Sequence, residues 1–193
     1  MSKINIMRDA SQLTVAESCD PKSKLVLGLD LATTTGYAMA YFKPGGDPVK
    51  AIKPEFLGQW DLSAGPYDSG AIRFARLRQF LELLKPQAIF YEDVKNASGK
   101  ANRAGVELIG AFRAMVCTWA EENNVPCTGF PIGTIKRRAT GDGAAGKEEV
   151  IKACNSLFQT EFDPDSYTRT GVDNVADAAF VLLLGLEQYG KGL

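Results

Sequence analysis

Three strand-like stretches follow one another near the front of the chain, and everything after them alternates between helix and strand patterns. Leu25 to Leu31 is apolar apart from Asp30, Gly36 to Phe42 is apolar and aromatic, and Glu55 to Leu62 alternates. With short turns between them these make a β-meander, and Lys43-Pro44-Gly45-Gly46-Asp47-Pro48 marks a loop. After Gly65-Pro66, the residues Ile72, Ala75, Leu77, Phe80, Leu81 and Leu84 recur at helical spacing until Pro86. Ala88 to Tyr91 reads as a short buried strand ending in Glu92. Arg103 to Asn123 reads as a long helix whose apolar arc (Val106, Ile109, Phe112, Met115, Val116, Trp119) is wide enough to face both the sheet and a second subunit. A strand at Cys127 to Phe130, two helical pieces around the glycine-rich turn Gly141 to Gly146, and an apolar helix from Val172 to Tyr189 complete the order. A meander followed by alternating helices and strands predicts an α/β domain, with a mixed central sheet and helices on both faces. Residues 1–22 show no clear period and are read as an N-terminal extension to a single domain over 23–193.

Composition removes several kinds of chemistry. None of the 193 residues is histidine, which excludes a histidine general base, a Ser-His-Asp triad and most zinc sites. The four cysteines, at 19, 117, 127 and 154, have no CxxC spacing and read as reduced structural thiols. The longest apolar run, Ala178 to Leu186, falls short of the ~20 residues a bilayer span needs, so a soluble, cytoplasmic protein is expected. The net charge of −1 hides a distribution: residues 94–154 hold 9 basic against 6 acidic side chains, and 155–193 hold 2 against 6. A basic segment beside an acidic one suits a metal-dependent enzyme acting on a polyanion.

Three acids stand where acids are costly. Asp30 interrupts the first strand, Glu92 ends an apolar strand, and Asp177 lies among Ala176, Ala178, Ala179 and Phe180; Asp173 sits one helical turn before Asp177. Carboxylates gathered without histidine or cysteine repel one another unless hard divalent cations with oxygen ligands, Mg²⁺ or Mn²⁺, hold them.

The stretch from Leu27 through Asp30, Thr33-Thr34-Thr35 and Gly36 to Ala38, the Tyr91-Glu92 strand end, the segment from Pro131 through Lys136 and Lys147 to Val150, and Asp173 to Ala179 resemble the RuvC family of Holliday-junction resolvases. The likeness spans about residues 24–187 in family order. It implies an RNase H-like fold and a Mg²⁺-dependent endonuclease that resolves four-way junctions by paired cleavage. Asp30, Glu92, Asp177 and Asp173 would then hold two Mg²⁺ ions, with Mn²⁺ able to substitute, and Lys147 would approach the scissile phosphate. A homodimer through helix 103–123 would present two equal sites to the junction. Lys136, Arg137, Arg138, Lys95, Lys100, Arg103 and Thr34 are the expected DNA contacts. Two departures stand out. The family's usual spacing would place Asn174 rather than Asp173 at the fourth ligand, and Lys95 replaces an aromatic wedge, which leaves room for cleavage of other branched DNA. Two rivals remain at this stage: a non-catalytic nucleic-acid-binding relative, and a sugar-kinase-like ATPase, for whose second domain there is no room.

Overall fold

The computed structural model describes residues 4–12, 20, 22–94 and 103–190. Its six-stranded sheet has the order β1 (Asn5–Met7), β4 (Leu57–Asp61), β3 (Thr34–Phe42), β2 (Lys24–Asp30), β5 (Ala88–Glu92), β6 (Cys127–Phe130). The meander β2–β3–β4 is antiparallel, β5 joins β2 in parallel and β6 joins β5 in parallel. Helices α2 (Ile72–Leu84) and α3 (Arg103–Glu122) cover one face; α4 (Ile132–Thr140), α5 (Lys147–Phe158) and α7 (Val172–Tyr189) cover the other. This is the mixed sheet with helices on both faces that the sequence predicts. Among the described residues no helix is long and apolar enough to cross a membrane.

The period of two along β2 sorts its side chains. Leu25, Leu27, Leu29 and Leu31 enter the core under α2 and α3, while Val26 enters the core under α7. Gly28 and Asp30, in phase with Val26, therefore turn toward α7. Two glycines let that helix lie almost on the sheet. A Cβ at Gly28 would stand 2.7 Å from the Ala178 carbonyl oxygen, and one at Gly36 would collide with the backbone of Asn174. Substitution at either position must displace α7 or the sheet.

Local departures have local causes. The expected loop at 43–48 leads directly into a one-turn helix, α1 (Pro48–Ala51), because Asp47 caps it by accepting from the backbone N–H of Val49 at 3.0 Å and Pro48 occupies its first position. The third strand starts at Leu57 because Pro54–Phe56 forms a 3-10 turn. Residues 5–7, within the expected extension, add β1 in parallel to β4, and Arg8 pairs with Asp61 at 2.6 Å.

Candidate active site

Asp30 and Glu92 are brought together by the sheet. Leu29 pairs with Tyr91 in the parallel β2–β5 ladder, so Asp30 and Glu92 are the next residues on neighbouring strands. Glu92 shares its phase with Ala88 and Phe90, which face α7. From α7, Asp177 completes the group: one carboxylate oxygen from each of Asp30, Glu92 and Asp177 lies within 4.8 Å of the others. Burial and the neighbouring carboxylates hold Asp30 well above its ordinary value. Burial, then the charge of Asp177, raises Glu92 to about 7; burial, then Asp173, raises Asp177 to about 6. Asp177 Oδ1 is buried, with no hydrogen-bond partner among the described residues.

A second group of polar side chains borders the three acids. Lys147 opens α5, whose first turn is fixed by the Gly146 N–H donating to Glu149 Oε2 at 2.6 Å. Its ammonium donates to Asp173 Oδ2 and lies 5.4 Å from the centre of the Tyr167 ring. Burial works against the Lys147 charge, but the hydrogen bond to Asp173 and the charges of Asp173, Asp177 and Asp30 outweigh it, and its pKa is raised. Asp173 is buried and occupied by this lysine, one turn from Asp177. Asn174 is committed elsewhere, donating from Nδ2 to the Thr34 carbonyl at 2.7 Å and so tying α7 to the start of β3. Lys136 donates to the Ala145 carbonyl at 2.7 Å, bracing the turn before α5, and its charge partly offsets the shifts of Glu92 and Asp177.

The other expected DNA contacts fall into different places. Arg138 is engaged by Glu187 through three hydrogen bonds of 2.6–3.2 Å. Arg103 pairs with Glu107 at 2.8 Å. Arg137 is exposed on α4. Lys95 and Lys100 lie outside the described residues. On α3, Phe112, Val116, Trp119 and Ala120 are buried against the sheet, whereas Val106 and Ile109 stay half-buried beside a cavity of about 330 Å³ that reaches Glu92 and Arg113. Arg113 also holds the buried Asp93, next to Glu92, at 2.7 Å.

The sequence reading missed one feature beside the acids. A groove of about 770 Å³ starts at Lys147 and Asp173 and runs between the end of the β3–β4 ladder, with Thr33, Thr34 and Gln59, and a one-turn helix α6 (Tyr167–Thr170). The sequence does carry a signal for α6. Asp163-Pro164 starts the 3-10 turn before it, Asp163 accepting from the Asp165 N–H at 3.1 Å, and Gly171 ends it at φ +66°.

The acids suit a divalent cation. The donors are hard carboxylate oxygens, one is an orphan in a buried position, and the excess negative charge demands compensation. Mg²⁺ and Mn²⁺ meet all three conditions.

No protein-family model and no curated protein sequence matches the chain. Solved structures do. Thermus thermophilus RuvC in complex with a Holliday junction substrate is similar at a TM-score of 0.64 and 20% identity, covering 88% of this chain and 96% of that one. Thermus thermophilus RuvC by itself gives 0.61 and 22%, covering 86% and 95%. The yeast mitochondrial Holliday junction resolvase Ydc2 gives 0.56 and 17%, covering 89% and 80%. The α/β fold of this chain is therefore the RNase H-like fold in its RuvC form.

Proposed function

We propose that this RuvC-fold chain is a Mg²⁺-dependent endonuclease that cuts branched DNA, with the four-way junction, resolved by paired cleavage, as its principal substrate. The reading is carried by the convergence of Asp30, Glu92 and Asp177 within 4.8 Å beside a lysine. These three acids, with Asp173 as fourth ligand in preference to the tethered Asn174, would hold two ions, and Mn²⁺ would serve in place of Mg²⁺. The bound cations supply Lewis-acid stabilisation of phosphate charge and an acidified water. The chain's own residues do the rest. Asp173 and the Tyr167 ring hold Lys147 so that its ammonium donates to a non-bridging oxygen of the scissile phosphate, where charge builds up. Paired cuts need two equal sites, and a two-fold dimer through α3 answers that need; the half-buried Val106 and Ile109 support it. The nuclease domain is taken as residues 23–193, working inside the cell, with 1–22 as an extension that lends an edge strand.

Lys95 in place of an aromatic wedge favours a second, wider reading, in which forks are cut as readily as junctions. Labelled four-way junction, Y-fork and linear duplex, incubated with Mg²⁺ or EDTA and resolved on a denaturing gel, separate the readings. Mg²⁺-dependent paired cuts in the junction alone are the expected result, fork cleavage at equal rate selects the wider reading, and binding without cleavage overturns both. Lys147→Ala is expected to slow single-turnover cleavage by roughly a hundredfold with less than about threefold loss of DNA affinity. A defect confined to affinity would make Lys147 a DNA contact only.

A further inference from the structure

We infer that the groove between α6 and the end of the β3–β4 ladder is the subsite for the DNA strand next to the scissile phosphate, and that Arg169 binds a neighbouring phosphate there. The inference rests on the nuclease reading above and goes beyond it by assigning a strand path and a residue to it. Lys147 and Asp173 line both the acid site and the groove, so a strand leaving the acids past Lys147 enters this space. At about 770 Å³ the groove has the volume of a ligand site rather than of an ion site.

Its charge suits a phosphate. Six of the nine arginines, at 8, 76, 78, 103, 113 and 138, are held by carboxylates. Arg169 is exposed on α6, lines the groove and pairs with no carboxylate among the described residues. The acids that share this lining are already neutralised, Asp61 by Arg8 and Asp173 by Lys147. A free guanidinium fork beside threonine hydroxyls is the arrangement that takes a phosphate diester.

The wall that carries Arg169 is anchored. Gln59 of β4 is fully buried, and its Nε2 donates to the carbonyls of Thr170 at 2.9 Å and Gly171 at 2.5 Å. This fixes the corner between α6 and α7 to the sheet that carries Thr34 on the opposite wall. Arg169 is thus presented from a braced one-turn helix.

The test is equilibrium binding of a four-way junction in EDTA, so that the DNA stays whole, for the wild-type chain and Arg169→Gln across a range of salt. The expected result is an affinity about five- to tenfold lower for the variant at moderate salt, with the slope of log K against log salt reduced by about one. Junctions carrying a single methylphosphonate at successive positions around the cut then locate the contact. At one position the wild type should lose the same factor while Arg169→Gln loses nothing further. Equal affinity and slope for the two proteins, or equal losses at every methylphosphonate, overturns the inference and leaves the nuclease reading standing. Failure of the wild-type chain to bind junction or fork overturns the nuclease reading, and this subsite with it. Because Arg169 is exposed, its replacement should leave the melting temperature unchanged, which separates a binding defect from a folding one.

Discussion

Asp30→Asn is expected to reduce cleavage of branched DNA by roughly a thousandfold or more while raising the melting temperature of the metal-free protein. The two effects share one cause. Asp30 is buried among Glu92, Asp177 and Asp173; burial first, and then their charges, oppose its ionisation, and the charge of Lys147 offsets this only in part. Asparagine keeps the size and an acceptor oxygen but removes one charge from the group, so repulsion falls and the fold gains on the order of 1 kcal/mol, a few degrees in Tm at this chain length. The same change removes a carboxylate from the proposed cation site, and activity is expected to go with it. DNA binding should be retained, since a carboxylate near phosphate is repulsive. Calorimetry in EDTA at pH 8 and single-turnover cleavage in Mg²⁺ measure the pair. A variant that is both inactive and less stable than wild type would mark Asp30 as a structural residue.

Stability of the metal-free chain is expected to fall as pH rises, and Mg²⁺ or Mn²⁺ to restore it. Glu92 and Asp177 are held at about 7 and 6, against ordinary values of 4.5 and 3.8. A raised folded value means that the folded state holds its protons more tightly than the unfolded state. The resulting stabilisation is complete below about pH 4 and is lost as pH climbs through 6 to 7. Cations bind the deprotonated acids, so their effect should grow over the same interval. At a concentration a hundredfold above Kd they add about 2.7 kcal/mol, or roughly 5–10 °C in Tm for a domain of this size. Melting curves at pH 5 and pH 8, with EDTA or with Mn²⁺, check the sign. A metal-induced shift as large at pH 5 as at pH 8, or one that Glu92→Gln leaves intact, would remove the three acids from the cation site.

How much of this was legible in the sequence varies with the kind of signal. The long elements were, because β2 and α7 carry apolar patterns that no other structure satisfies, and Asp30 and Asp177 stood out as charges inside them. That Asp30 and Glu92 would sit side by side was not a matter of pattern; it follows from the parallel β2–β5 pairing, a long-range choice. Gly28 and Gly36 looked like ordinary strand residues, and their use becomes visible only when α7 lies on them. Lys136 and Arg138 read as DNA contacts from their charge, and nothing in the sequence signalled the tertiary partners, the Ala145 carbonyl and Glu187, that engage them. The α6 wall passed unnoticed because a single turn has no period, although its capping residues were in plain view.

The order in which the chain supplies the site has a consequence for its synthesis. Asp30 lies on β2 and Asp177 on α7, with almost every other described element between them in the sequence. The sheet can begin to form early, but its acids have no third partner until α7 docks on Gly28 and Gly36. A chain stopped before α7 therefore carries only two of the three acids. The gathering of the three acids therefore waits on α7, whatever the order in which the elements between them form.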